Sequence, residues 1–390
     1  MKTWILSLLV FLSGCAHVGQ PSVPDSEVTA LLNDSAFPTP SRPVDASKLF
    51  DLSPAMRSHL TSARFQALLR EHGQTLGLVH ALYDASDLKL DYDSSYTGTA
   101  AETYASRQGN CLSLVIMTAA FARQLDLNVR FQDVQIEDTW SRDHALYMVS
   151  SHVNLSLAPR APRTDDYDAS AMLTIDFIPG MANSRQRVRY LSETDIVALY
   201  MNNRAAEELA QGRQADAYWW ARGALLKKPT LAAAYNTLAV IYQRSGHPLL
   251  AEQVYRVALE REPDSLVVLQ NFAPLLAANG KNEEAEQLKQ RAARLYPAPP
   301  YHFFNQGMDA YKAGNIAQAR ALFAREVARA PYNDEFHFWL GIANLQLGEL
   351  KVAEKQLALA RDMSVRSDTR ERYSAKLAHL RGMTGGPRRN

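Results

Sequence analysis

The sequence predicts an α+β unit followed by an all-α solenoid of paired helices, and three observations carry that prediction. Gly212, Gly246, Gly280, Gly314 and Gly348 stand 34 residues apart, as do Ala217, Ala251, Ala285, Ala319 and Ala353, and also Pro229, Pro263, Pro297 and Pro331. A strongly amphipathic run opens at Cys111, with Leu112, Val115, Ile116, Ala119 and Ala122 at the three- and four-residue spacing of a helix. Behind it come three stretches with strand patterning, 128–135, 143–149 and 172–178.

The chain begins with Lys2 and the apolar run Trp4 to Leu12, too short to cross a bilayer core of about 30 Å as a helix. Residues 1–14 therefore read as a signal peptide. Its end, Leu12-Ser13-Gly14-Cys15, resembles the bacterial lipobox, which implies that Cys15 is lipidated and becomes the first residue of the mature chain. Ala16 stands where the resemblance makes Asp the inner-membrane signal, so the expected location is the outer membrane, lipid-anchored and facing the periplasm. Residues 15–51 carry Pro21, Pro24, Pro38, Pro40 and Pro43 among Ser, Thr and Asp, and predict a tether without a buried face.

Residues 52–190 form the expected α+β domain. Helical periodicity covers 57–73 and 76–86, followed by Arg107-Gln108-Gly109-Asn110-Cys111 at the head of the amphipathic helix. A thiol in the first turn faces free backbone amides, which favour thiolate and can hold an oxyanion. His144 opens the second strand stretch and Asp176 lies in the third. Gly109-Asn110-Cys111, the entry Leu127-Asn128-Val129-Arg130, Asp143-His144-Ala145 and Ile175-Asp176-Phe177, in that order, resemble the transglutaminase-like branch of papain-type thiol enzymes. The resemblance implies Cys111 as nucleophile, His144 as its base and Asp176 as the group fixing the imidazole. The chain departs from the family at Asp126 or Leu127, one of which is usually Gly, and at Leu146, where an aromatic is frequent. Residues 152–171, with Pro159, Pro162, Asp165 and Asp166, read as an insertion that either covers a cleft or runs idly over the surface. Besides the Cys111 amide, Gln108 and Tyr104 are the side-chain candidates for an oxyanion donor.

Residues 195–382 hold the repeats. Gly turns the chain between paired helices, Ala admits their close approach and Pro ends each pair, so five units begin near Ala198, Ala232, Leu266, Pro300 and Asp334. This period resembles the tetratricopeptide repeat, with 369–380 as a capping helix. The first unit fits least well, having Met201, Arg204 and Glu208 where large apolar residues are expected, and Pro274 falls inside a predicted helix. In this family the first helix of each unit lines a groove, which assigns Tyr301, Phe304, Met308, Tyr311, Phe338, Ile342 and Leu345 either to a surface for a protein partner or to packing against the α+β domain or the terminal helix.

Composition narrows the function further. The 390 residues carry 42 Lys and Arg against 41 Asp and Glu, a net charge of +1 that provides no electrostatic footprint for nucleic acid. Two cysteines, one of them the expected lipid site, exclude a disulfide scaffold and a cysteine zinc site. The sequence contains no paired-glycine dinucleotide fingerprint, no Gly-Lys-Ser/Thr and no Glu-x-x-His, so no cofactor or metal is expected. Two readings remain. One is a thiol-dependent amide hydrolase or acyl transferase acting on peptide or protein substrates, with the repeats binding a partner. The other is a non-catalytic interaction scaffold built on the repeats.

Overall fold

A computed structural model describes residues 25–83, 88, 90–93, 96–143, 146–159, 172–177, 187–331, 333–364 and 367–384. The signal peptide, Cys15, His144 and residues 160–171 lie outside them. The first part contains α1 (Asp25–Leu31), α2 (Pro54–Leu60), α3 (Ala63–Tyr83), β1 (Asp91–Tyr92), α4 (Ala100–Ser106), β2 (Gln108–Gly109), α5 (Cys111–Gln124), β3 (Leu127–Asp143), β4 (Leu146–Pro159), β5 (Leu173–Ile175) and β6 (Arg187–Leu191). The helices of the array follow: α6 (Glu193–Ala210), α7 (Gln214–Lys227), α8 (Ala232–Arg244), α9 (Pro248–Arg261), α10 (Leu266–Ala278), α11 (Asn282–Leu295), α12 (His302–Lys312), α13 (Ile316–Arg329), α14 (Asp334–Gln346), α15 (Leu350–Met363) and α16 (Ser367–Thr384).

The array is the tetratricopeptide-like solenoid that the period predicts. Each of the five glycines takes a left-handed φ between 77° and 82° after the first helix of its pair, where a side chain would strain the turn. The five alanines are buried at the crossings. Pro274 sits within a continuous α10, and α16 closes the end. The first unit keeps its fold by a different device. Arg204 pairs with both Glu207 and Glu208, and Arg213 closes on Glu208, so a partly buried ion network fills the positions where apolar residues were expected.

A four-stranded antiparallel sheet of order β5-β4-β3-β6 stands before the array. α5 is buried along its length from Cys111 to Ala122 and packs on β3 and β4. β4 also receives α10, the first helix of the third repeat, so both faces of the strand are covered. Its side chains show this directly: His152, Asn154 and Ser156 alternate with Val153, Leu155 and Leu157, and all six are buried. Asp126 enters β3 with φ of 54°, a left-handed turn that Gly takes freely and Asp tolerates. That geometry accommodates the departure from glycine noted in the sequence. The expected helices over 57–73 and 76–86 are redrawn, because the chain breaks between α2 and α3 and α3 kinks at Gly73.

Residues 25–51 do not form a free tether. Phe37 stacks on Tyr218 with ring centroids 4.2 Å apart and planes 7° from parallel. The Asn33 amide donates to the Tyr242 hydroxyl at 2.9 Å, which donates in turn to the Leu31 carbonyl. Asp34 accepts from the Tyr218 hydroxyl and pairs with Arg222, Ser41 donates twice to Asp216, and Trp219 donates to the Pro38 carbonyl. At its far end the Leu49 carbonyl accepts from the Ala100 amide of α4. Isolated apolar residues, Val28 and Phe37 among them, anchor the segment against the repeats.

Candidate functional site

The thiol is placed by a polar cap rather than by the helix alone. Asn110 takes an extended backbone at the N-cap of α5, and its side-chain oxygen accepts from the Ser113 amide and the Ser113 hydroxyl, each at 2.9 Å. Its amide group donates to Thr97 Oγ1 at 2.7 Å, and Ser113 Oγ accepts from the Gly98 amide. Gly109 lets this turn close, since a Cβ there would fall 2.6 Å from the Ser113 Cβ. Cys111 is thereby fixed at the first helical position, buried, at the positive end of the helix dipole.

The histidine that meets this thiol is His152. Its Nε2 lies 2.7 Å from Asp176 Oδ2, and both side chains are almost wholly buried. Asn154 Nδ2 donates to the same carboxylate oxygen at 3.3 Å, held opposite Asp176 by the register that pairs Leu155 with Ile175. His152 Nδ1 makes no well-aligned hydrogen bond among the described residues, and the Cys111 sulfur acts on the ring through weak hydrogen bonding and charge. Burial opposes charging the ring, yet Asp176 and Cys111 outweigh it and raise the pKa of His152 to about 9. The arrangement places the ring between a carboxylate and a sulfur, and both favour its charged form.

Two of the three expected triad residues, Cys111 and Asp176, are brought together, and His144 lies outside the described residues. His152, read from sequence as the start of an insertion, belongs to β4. The signal was present in the alternation His152-Val153-Asn154-Leu155-Ser156-Leu157, which continues the strand past Val149. Of the oxyanion candidates, Gln108 is exposed on β2, and Tyr104 packs in the core against His59 and Phe121 under the Arg107 guanidinium. The Cys111 backbone amide remains the donor at the thiol. Among the described residues no group of three His, Cys, Asp or Glu is arranged for a metal ion, and no helix is long and apolar enough to cross a membrane.

The expected groove in the last two units is largely closed. Tyr301, Phe304 and Ile342 are buried, and Phe304 packs on Phe323 and Phe336. Met308, Tyr311 and Phe338 are half-buried; Tyr311 meets Trp339, and Phe338 stacks on Tyr373 of α16 at 4.6 Å. Helix-to-helix packing uses these aromatic faces, so Tyr301, Phe304 and Ile342 are core residues rather than an open lining.

Fold and site together define a solenoid of tetratricopeptide-like helix pairs that carries a small antiparallel sheet with a Cys-His-Asp cluster. Comparison with known proteins supports the repeat part. Residues 304–364 match the family model of the tetratricopeptide repeat. The chain is 33% identical over 108 residues to the type IV pilus assembly protein PilF of Pseudomonas aeruginosa, covering 27% of this chain and 43% of that protein. It is 31% identical over 100 residues to the protein CTR9 homolog of Arabidopsis thaliana, covering 25% of this chain and 9% of that one. The chain thus spans less than half the length of either relative. A solved structure of Pseudomonas aeruginosa PilF is similar at 22% identity with a TM-score of 0.28, over 50% of this chain and 96% of that one.

Proposed function

We propose that the protein binds a polypeptide through its repeats and acts on peptide or protein amide bonds through a transglutaminase-like thiol centre, with Cys111 as nucleophile, His152 as general acid and base, and Asp176 as the group that holds the imidazole. The observation that carries this reading is the convergence of a helix-start cysteine, a buried histidine and a buried carboxylate from three elements. In the proposed reaction the Cys111 thiolate attacks the carbonyl carbon, and the Cys111 amide takes the developing oxyanion. The imidazolium of His152 protonates the departing amine as the C–N bond breaks, leaving a thioester. Water or a second amine then attacks, His152 accepts its proton, and the thiolate returns. Water gives hydrolysis and an amine gives acyl transfer.

Protein binding by the array rests on the repeat match and on the curated relatives, one of which is named for pilus assembly. Burial of the thiol favours a second reading, a scaffold whose sheet unit is silent. We place the protein on the periplasmic face of the outer membrane, anchored at Cys15, on the strength of the lipobox resemblance alone.

Alkylation separates the two readings. In the full chain carrying Cys15→Ser, Cys111 is the single thiol, and its reaction with iodoacetamide is expected to stay fast near pH 6, well below the ~8.5 of a free cysteine. His152→Ala is expected to move the profile upward and His144→Ala to leave it in place. A thiol that reacts only above about pH 8 and ignores His152→Ala would establish the scaffold reading. Release of the protein from the membrane fraction of a Gram-negative host by Cys15→Ser would support the anchor, and unchanged membrane association would overturn it.

A further inference from the structure

We infer that Glu207, on the first helix of the repeat array, is a positioning residue for Cys111 and acts on it through Thr97 and Asn110; the inference rests on the thiol-centre reading above. The path is short and each link is a hydrogen bond. Glu207 Oε1 accepts from the Thr97 backbone amide at 2.7 Å. Thr97 Oγ1 accepts from Asn110 Nδ2 at 2.7 Å, and Asn110 Oδ1 accepts from the Ser113 amide at 2.9 Å, which caps the helix that Cys111 opens. Thr97, Asn110 and Ser113 are all buried, so water does not compete for these bonds. The Thr97 hydroxyl also donates to the Glu207 carboxylate, so both the backbone and the side chain of Thr97 tie the array to the loop that holds the thiol's cap.

Glu207 is also poised to change state. Burial raises its pKa to about 7 against the pull of Thr97 and Arg204, and the neighbouring Glu208 adds to the rise. The groups around it are Arg204 and Glu208 from α6, Tyr96 and Thr97 from the facing loop, Glu102 from α4 and Tyr200 two turns back on α6. Arg204 is shared between Glu207 and Glu208, and its guanidinium covers the Tyr96 ring at 4.5 Å. An ionised Glu207 makes a charge-assisted bond to the Thr97 amide and fixes the loop; a protonated one holds it less tightly. The cap of α5, and with it the aim of the Cys111 amide and sulfur, follows the loop. The array and the thiol centre are thereby linked through one carboxylate, and a partner that moves α6 would be felt at Cys111.

The test is the pH profile of Cys111 alkylation by iodoacetamide in the full chain carrying Cys15→Ser. The unmodified relay is expected to add a step centred near pH 7 in which the rate rises about three- to tenfold, the size of one charge-assisted hydrogen bond passed through two neutral ones. Glu207→Gln is expected to remove the step, Glu207→Asp to restore part of it, and Thr97→Val to remove it while leaving Glu207 in place. Should Glu207→Gln fail to fold by circular dichroism, Thr97→Val decides. A step that survives Thr97→Val would overturn the relay. If His152→Ala alters the profile and the Glu207 and Thr97 variants do not, the relay fails and the thiol centre stands; if His152→Ala has no effect, the thiol centre itself fails.

Discussion

The first three repeats and the last two share one period and live in different surroundings. Around α6 to α11 the buried side chains form a single apolar cluster with α1, Phe37, Leu49, α5 and the sheet, running from Val28 to Ala285. Around α12 to α16 the buried residues form two smaller clusters made from the repeats themselves and the end of the array. The period fixes how helices pair, but it does not say what lies against the pairs. In the first half α10 meets β4, α6 meets β3 and β6, and α1 lies on α7 and α9, so the array is the wall of a larger core. In the second half neighbours supply almost everything, as a repeat protein ordinarily requires.

The sharpest way to break this contrast is to remove residues 25–51. Deletion strips Phe37 from Tyr218 and uncaps Tyr242 and Asp216, and is expected to cost the first three repeats more than about 5 kcal/mol, comparable to a whole domain's stability. Hydrogen exchange should then show α6 to α9 opening while α13 to α15 keep their protection. A fragment from residue 195 onward, which the period alone would make self-sufficient, should therefore be only partly folded. Phe37→Ala is the single-residue version, with an expected loss of about 3–5 kcal/mol in urea unfolding, against about 1–2 kcal/mol for Phe338→Ala at the half-buried stack on Tyr373. Equal losses at the two sites would remove the distinction between the halves.

Titration sharpens it further. The pKa of His152 is raised in the folded chain from 6.5 to about 9, so the stability it contributes is fully present below about pH 6.5 and is lost as pH rises through 9. Thermal unfolding should show an alkaline loss of about 2–3 kcal/mol that His152→Gln abolishes, confined to the half in which β4 packs on α10. The smallest effect belongs to Glu252, which is buried beneath Lys281, Arg256 and Asn279. Burial raises its pKa, but these three partners together lower it to about 2. Its contribution is present above about pH 4.5 and fades as pH falls toward 2, about 1–2 kcal/mol after allowing for the exposed ends of its cationic partners. Glu286, at the same place one repeat later, pairs with Lys289 at 3.8 Å with both side chains more than half exposed, and Glu286→Gln should change stability by less than about 1 kcal/mol.

What could be read from the sequence follows how local the signal is. The repeat boundaries were legible because Gly, Ala and Pro each solve a local problem, a left-handed turn, a close crossing and a helix stop, at every 34th residue. Cys111 was legible for the same reason, as a helix start marked by Asn110. His152 was missed because the reading ended the strand at Val149 and took the prolines after 158 as evidence of a loop from 152 onward, although Pro159 only terminates β4. The seating of residues 25–51 left no periodic trace. Val28, Phe37 and Leu49 are isolated apolar residues in a Pro-rich stretch, and the pockets that bury them are contributed by the repeats and the sheet unit. Of the two readings of the apolar face in the last units, packing on neighbouring helices is the one seen, with Phe338 stacked on Tyr373 of α16. Tyr301 adopts φ of 64°, and the rings of Tyr301 and Phe304 both pack against Phe336.

The seating of the first residues on helices far along the chain also sets an order of assembly. Asn33 and Tyr242 are separated by 209 residues and Glu27 and Arg261 by 234. A chain that emerges from the ribosome N-terminus first, at about 5–20 residues per second, presents Phe37 some ten to forty seconds before its binding pocket exists. The first segment made is the last to be placed. Throughout that interval Phe37 and its neighbours must either wait uncovered or be shielded by another surface, so the late step of folding is the docking of this segment onto α7 and α8.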